Sequence, residues 1–143
     1  MSRYFAALRP LVFAAAALGA AAAFAETPSR PGAAAYIISP ADGATVSNPV
    51  TVRFGLRGMG VAPAGVERPD TGHHHLLIDV DAVPAAGVPI PMDDKHRQFG
   101  GGQTEVTLEL APGKHTPQLL LGDHMHIPHN PPVVSERISI TVA

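Results

Sequence analysis

The chain has 143 residues, 10 basic and 12 acidic, with 15 prolines, 14 glycines, no cysteine and no tryptophan. That length suits one ordinary domain, and the lack of cysteine excludes both a disulfide framework and a thiolate metal site. A formal charge of −2, dispersed along the chain, argues against nucleic acid or anionic lipid as partners, and 5% aromatic residues argue against a carbohydrate-stacking platform.

Met1 to Ala25 reads as a secretory signal helix. Arg3 and Arg9 form its basic start, Leu11 to Ala22 its apolar run, and Ala23-Phe24-Ala25 supplies small residues for cleavage before Glu26. The run is short of the ~20 residues needed to span a bilayer. A mature chain of roughly 118 residues, formal charge −4, is therefore expected in the periplasm or outside the cell, with no integral membrane segment. Residues 26–35, rich in Pro, Ala and Gly, read as a flexible lead-in, and 36–143 as a single domain.

Tyr36-Ile37-Ile38 reads as a short strand closed by Ser39-Pro40 and the turn pair Asp42-Gly43. Val50, Val52, Phe54 and Leu56 alternate with Thr51, Arg53, Gly55 and Arg57, the period of a half-buried strand. A Gly-rich loop, 58–72, leads to a strand over 73–80. There His74, Leu76, Ile78 and Val80 share one parity, and His73, His75, Leu77 and Asp79 the other. From 81 to 102 no period is visible, and an irregular crossover that long usually has a functional or bracing role. Thr104–Leu110 alternates again, Ala111–Lys114 turns the chain, and Thr116–Leu121 reads as a central strand. Ile138, Ile140 and Val142 close the domain over 137–142. No helical period persists beyond the signal segment.

Six or seven short strands with turn signals between them indicate an all-β fold, an antiparallel immunoglobulin-like β-sandwich with a cupredoxin-like barrel as competitor. In immunoglobulin order, 73–80 and 116–121 are antiparallel neighbours. The start of the first then lies beside the end of the second. His73–His75 meet the stretch Gly122-Asp123-His124-Met125-His126-Ile127-Pro128-His129-Asn130-Pro131-Pro132 at one pole. Met59 and His96 are expected there too, and His115 at the opposite pole.

Neutral imidazole suits Zn, Cu and Ni, and thioether selects Cu(I). His-x-His on an extended strand turns both rings to one face, as at 73/75 and 124/126. Pro128, Pro131 and Pro132 stiffen the loop and lower the ordering cost of convergent ligands. The expected ligands are His73, His75, His126 and His129, with His124, Met125, Met59 and His96 as outlying candidates. His74, on the core parity, reads as a satisfied core residue behind them, and Asp123 as a carboxylate fixing a histidine tautomer.

Several motifs carry a resemblance. Thr71-Gly72-His73-His74-His75-Leu76-Leu77-Ile78-Asp79, Phe99-Gly100, Gly102-Gln103-Thr104-Glu105, Pro112-Gly113-Lys114-His115-Thr116, and Gly122-Asp123 through Pro131-Pro132 with Ser135 resemble an uncharacterised bacterial extracytoplasmic family of unknown function, across roughly 36–142. The resemblance implies a last motif Gly-Asp-x-x-His-x-Pro-His-x-Pro-Pro, which His126 and His129 match while His124 and Met125 fall on variable positions. The expected function is a histidine-rich binder of a copper or zinc ion, for storage, delivery or protection, with a periplasmic protein as partner. The alternatives are an envelope interaction module whose histidines brace loops, and a metalloenzyme on a β-sandwich.

Overall fold

The computed structural model describes residues 26–143 and, ahead of them, Pro10, Val12 and residues 14–17. The signal segment expected over 1–25 lies, apart from those positions, outside the described residues. Among the described residues no helix is long and apolar enough to cross a membrane.

Among the described residues ten strands follow in chain order: β1 (Ala34–Ser39), β2 (Thr45–Val46), β3 (Val50–Arg57), β4 (Gly60–Val61), β5 (Thr71–Ile78), β6 (His96–Gln98), β7 (Glu105–Leu108), β8 (Gly113–His115), β9 (Pro117–Gly122) and β10 (Ile140–Val142). One layer has the order β1-β3-β7, antiparallel throughout. Facing it, β5 carries β9 and β6 as antiparallel partners and β4 as a parallel one. β8 runs into β9 through Thr116 and also pairs with β10, which takes β2 parallel on its other side. Among the described residues the fold is an all-β sandwich with no closed barrel, so the cupredoxin-like barrel alternative is set aside.

Alternation decides which side chains fill the space between the layers. Val50, Val52 and Phe54 of β3 point inward against Leu76 and Ile78 of β5 and Leu119 and Leu121 of β9, with Phe99, Ile140 and Val142 completing the core. Each such side chain contributes about 1.5–3 kcal/mol when fully buried, enough together to fix register. The β5–β9 register sets His73 against Gly122 and Ile78 against Pro117.

The outer face of β5 is also covered. Leu77, Leu120 and Ile90 form a second buried cluster, because the long crossover after β5 folds back across the sheet. The crossover expected to be irregular contains β6, too short at three residues to show a period. Likewise Gly113–His115, expected as part of a turn and its exit, is strand, and the expected strand over 137–142 is reduced to Ile140–Val142. Of residues 26–35, expected as a flexible lead-in, 26–29 are hydrogen-bonded to the loop after β9, and Ala34 and Ala35 already belong to β1. Asn130 N–H donates to the Thr27 carbonyl (2.9 Å), Ser29 N–H to the Asn130 carbonyl (3.1 Å), and Ser29 Oγ to the Pro131 carbonyl (2.7 Å).

Candidate metal centre

His73 and His75 share the outer face of β5, and both are 0% exposed. Their ring centroids stand 4.6 Å apart, tilted by 41°. Room for the second ring comes from a missing side chain. A Cβ on Gly122 would lie 2.5 Å from His75 Cε1 and 2.9 Å from its Nδ1, closer than the van der Waals contact of carbon atoms allows. Glycine at that position lets the imidazole lie against the β9 backbone.

The third ring arrives on the loop that reverses after β9. Asp123 N–H donates to the Ile127 carbonyl and His126 N–H to the Asp123 carbonyl, each 2.9 Å. Asp123 Oδ1 accepts the N–H groups of Met125 (2.8 Å) and Ile127 (3.0 Å), and Oδ2 accepts the Thr27 hydroxyl (2.7 Å). This capped turn holds His126 at φ 63°, a left-handed conformation uncommon outside glycine, though asparagine, aspartate and histidine adopt it more than others. The His126 carbonyl in turn accepts Ile90 N–H at 2.7 Å, fastening the crossover over the site.

A hydrogen bond joins His73 Nε2 and His126 Nδ1 (3.0 Å). The His126 ring stands edge-on to both partners, with centroids 4.8 Å from His73 and 5.6 Å from His75. One nitrogen from each of His73, His75 and His126 falls within 4.8 Å of the others, a group able to hold a metal ion. For comparison, tetrahedral zinc with ~2.0–2.1 Å bonds sets its ligand nitrogens roughly 3.3 Å apart.

Electrostatics keep the rings ready. Burial pushes His73 down to about 4, with His126 adding to the shift and Asp123 opposing it; burial, then His73 and His126, push His75 down to about 3. Both are neutral at pH 7, the form that binds metal. Among the described residues, His73 Nδ1 and both nitrogens of His75 are buried without a hydrogen-bond partner. Leaving such a group unsatisfied costs about 1–3 kcal/mol.

The other expected residues lie elsewhere. His129 is fully buried, but beneath Gly72 on the core face of β5: its Cε1 would meet a Cβ on Gly72 at 2.9 Å, and its Nε2 bonds the Thr71 carbonyl at 3.1 Å. The structure does not bring it into the group. The His124 ring faces Glu67 at 3.8 Å, Met125 is 47% exposed, and Met59 packs against the main core. His96 pairs with Leu77 and bonds Asp93 through Nδ1 (2.8 Å). His74 does lie in the core, 5.2 Å from Phe54, yet neither of its nitrogens has a partner, so it is not the satisfied residue expected. Asp123 holds backbone rather than a histidine tautomer. His115 sits at the far end of β5, bonded to Asp79 (2.7 Å).

Sequence reasoning missed Gly122, Ile90 and Thr27 as shapers of the site. Gly122 was open to detection, since it falls opposite His73 once β5 and β9 are paired. Nothing local marks Ile90 or Thr27.

A family model described as "Domain of unknown function (DUF4399)" matches residues 52–143. The chain belongs to this family. The DUF4399 match starts inside β3 and holds all eight histidines, whereas Thr27, which braces Asp123, precedes it. No curated protein and no solved structure matches the chain.

Proposed function

We propose that the domain binds one copper or zinc ion through His73, His75 and His126, in the cell envelope, and stores it or passes it to a protein partner. The observation that supports this reading is His75: a buried, neutral imidazole with neither nitrogen in good hydrogen-bond geometry with a partner among the described residues, beside two rings whose nitrogens lie within 4.8 Å. An ion supplies the missing partner and uses the neutral rings as they stand.

The bond between His73 and His126 favours a second reading, in which the rings brace the loop without an ion. That reading leaves His75 unexplained. Titration of untagged protein with Cu and Zn, followed by elemental analysis, separates the two. One ion per chain is expected, reduced below detection by His75→Ala and retained by His129→Ala. A melting temperature indifferent to both metals in the wild type, with a large loss of stability in His75→Ala, rejects the metal reading. If metal binds only the folded form, ~100 Kd of ligand should add roughly 2.7 kcal/mol.

A further inference from the structure

We infer that β1 is an open sheet edge on which a second copy of this chain docks, β1 against β1, antiparallel about a two-fold axis. β1 belongs to the layer facing β5, whereas the triad lies on the outer face of β5, so the inference stands apart from the metal reading.

β1 ends its layer. It pairs with β3 and, among the described residues, with no strand on its other side. The register shows which groups are left over. Phe54 N–H donates to the Thr104 carbonyl (2.8 Å), so the even residues of β3 bond towards β7. Gly55 and Arg57 then bond towards β1, where they face Tyr36 and Ala34. The N–H and C=O groups of Ala35 and Ile37 therefore point out of the sheet, and among the described residues no backbone group bonds them. A groove runs along this edge between Tyr36 and Ile37 on one side and Glu136 and Ile138 on the other, with Arg57 at its lip.

An edge of this kind takes an extended strand, whose own N–H and C=O groups continue the ladder. Exposed edges are commonly blunted by charge, proline or a bulge. Ala34 to Ile38 has neither charge nor proline, and the register shift against β3 falls between Ile37 and Ser39, at the far end. Self-complementarity selects a second copy as the strand. Ala35 set against the partner's Ile37, and Ile37 against the partner's Ala35, form two hydrogen-bonded pairs two residues apart, the spacing of an antiparallel ladder. The axis then passes through Tyr36, 45% exposed, whose ring meets its own copy in the close pair between them. Arg57 and Glu136 have no ionic partner among the described residues. A two-fold seam brings one of each sign from either copy, a set that can cross-pair. The two layers join into one sheet, β7-β3-β1-β1-β3-β7.

The test is sedimentation equilibrium in EDTA, which removes metal-bridged histidines as a cause of association, on wild type, Tyr36→Lys and Tyr36→Glu. The wild type should pass from one chain to two as concentration rises. Each variant sets like charges directly across the axis and should weaken association by about tenfold or more. Mixed in equal amounts, the two variants should associate with each other and recover the two-chain species. A wild type that stays one chain up to ~1 mM overturns the inference and leaves the edge to a strand from another protein. Folded variants that each associate as the wild type does overturn it too. Should neither variant fold, amide exchange of the wild type decides. The Ala35 and Ile37 N–H groups should exchange more slowly as concentration rises, and exchange that does not change with concentration overturns the inference.

Discussion

Each ring of the triplet His73-His74-His75 is buried, yet they serve different surroundings because a strand turns successive residues to opposite faces. His74 faces Phe54 with both nitrogens unpartnered, and burial pushes it down to about 4. Replacing a buried unsatisfied polar ring with an apolar side chain of similar volume is commonly neutral or favourable. His74→Leu should therefore change stability by no more than about 1 kcal/mol, and in the stabilising direction, as read from the urea midpoint. A loss of several kcal/mol would mean that the ring has a partner in solution. Gly122 has the opposite sensitivity. A methyl group there meets the His75 ring, so Gly122→Ala should lower metal affinity at least tenfold and cost roughly 1–3 kcal/mol of stability as the ring is displaced. Unchanged affinity in a folded Gly122→Ala protein would show that His75 is not a ligand.

At the scale of elements, the loop after β9 is shaped from a distance. Thr27 donates to Asp123, Asp123 holds Met125 and Ile127, and the resulting turn presents His126. Thr27→Val keeps the volume and removes the hydroxyl, leaving a buried carboxylate one donor short. A loss of about 1–3 kcal/mol is expected by chemical denaturation, with a drop in metal affinity that tracks movement of the turn. Wild-type values for both would uncouple the N-terminal segment from the site. This coupling was not legible in the sequence, where 26–30 shows only a composition typical of linkers. The strands over 50–57, 73–80, 104–110 and 116–121 were legible because alternation over six to eight residues shows which face is buried, and the pairing of 73–80 with 116–121 followed from immunoglobulin order. β2, β4, β6 and β8 have two or three residues each and leave no period. Within the site, His73 and His75 were readable from their spacing on one strand. His129 was misplaced because parity cannot be counted through the turn at Pro128, after which the chain passes to the other face.

Across the whole molecule the two poles respond to pH with opposite sign. His115 bonds the Asp79 carboxylate through Nδ1 and the Ala111 carbonyl through Nε2, both 2.7 Å. Both partners only accept, so the ring must donate twice and is cationic; the Asp79 bond raises its pKa above the ordinary value, against the effect of burial. Its contribution is complete below the unfolded-state value near 6.5 and is lost as pH rises through the raised folded value. His73, His74 and His75 have lowered values, so the unfolded chain takes up protons that the folded one refuses as pH falls from about 6.5 towards 4. Metal-free protein should thus be most stable near neutrality and melt earlier on either side. His115→Gln should flatten the alkaline limb and leave the acid limb unchanged, which thermal melts across pH 4–9 will read. An acid limb that is flat in the wild type would contradict the buried neutral state of the triplet.

The bonds from residues 26–29 to the loop after β9 also order events in time. Thr27 and Asp123 are separated by 96 positions, and Ser29 and Pro131 by 102. Contacts between segments so far apart in the chain close late, because the entropy of the intervening loop must be overcome first. Before that closure Asp123 lacks the Thr27 hydroxyl, and the turn that presents His126 is one bond short. On the metal reading, tight capture would then mark a chain in which residues 26–29 have already met the loop after β9.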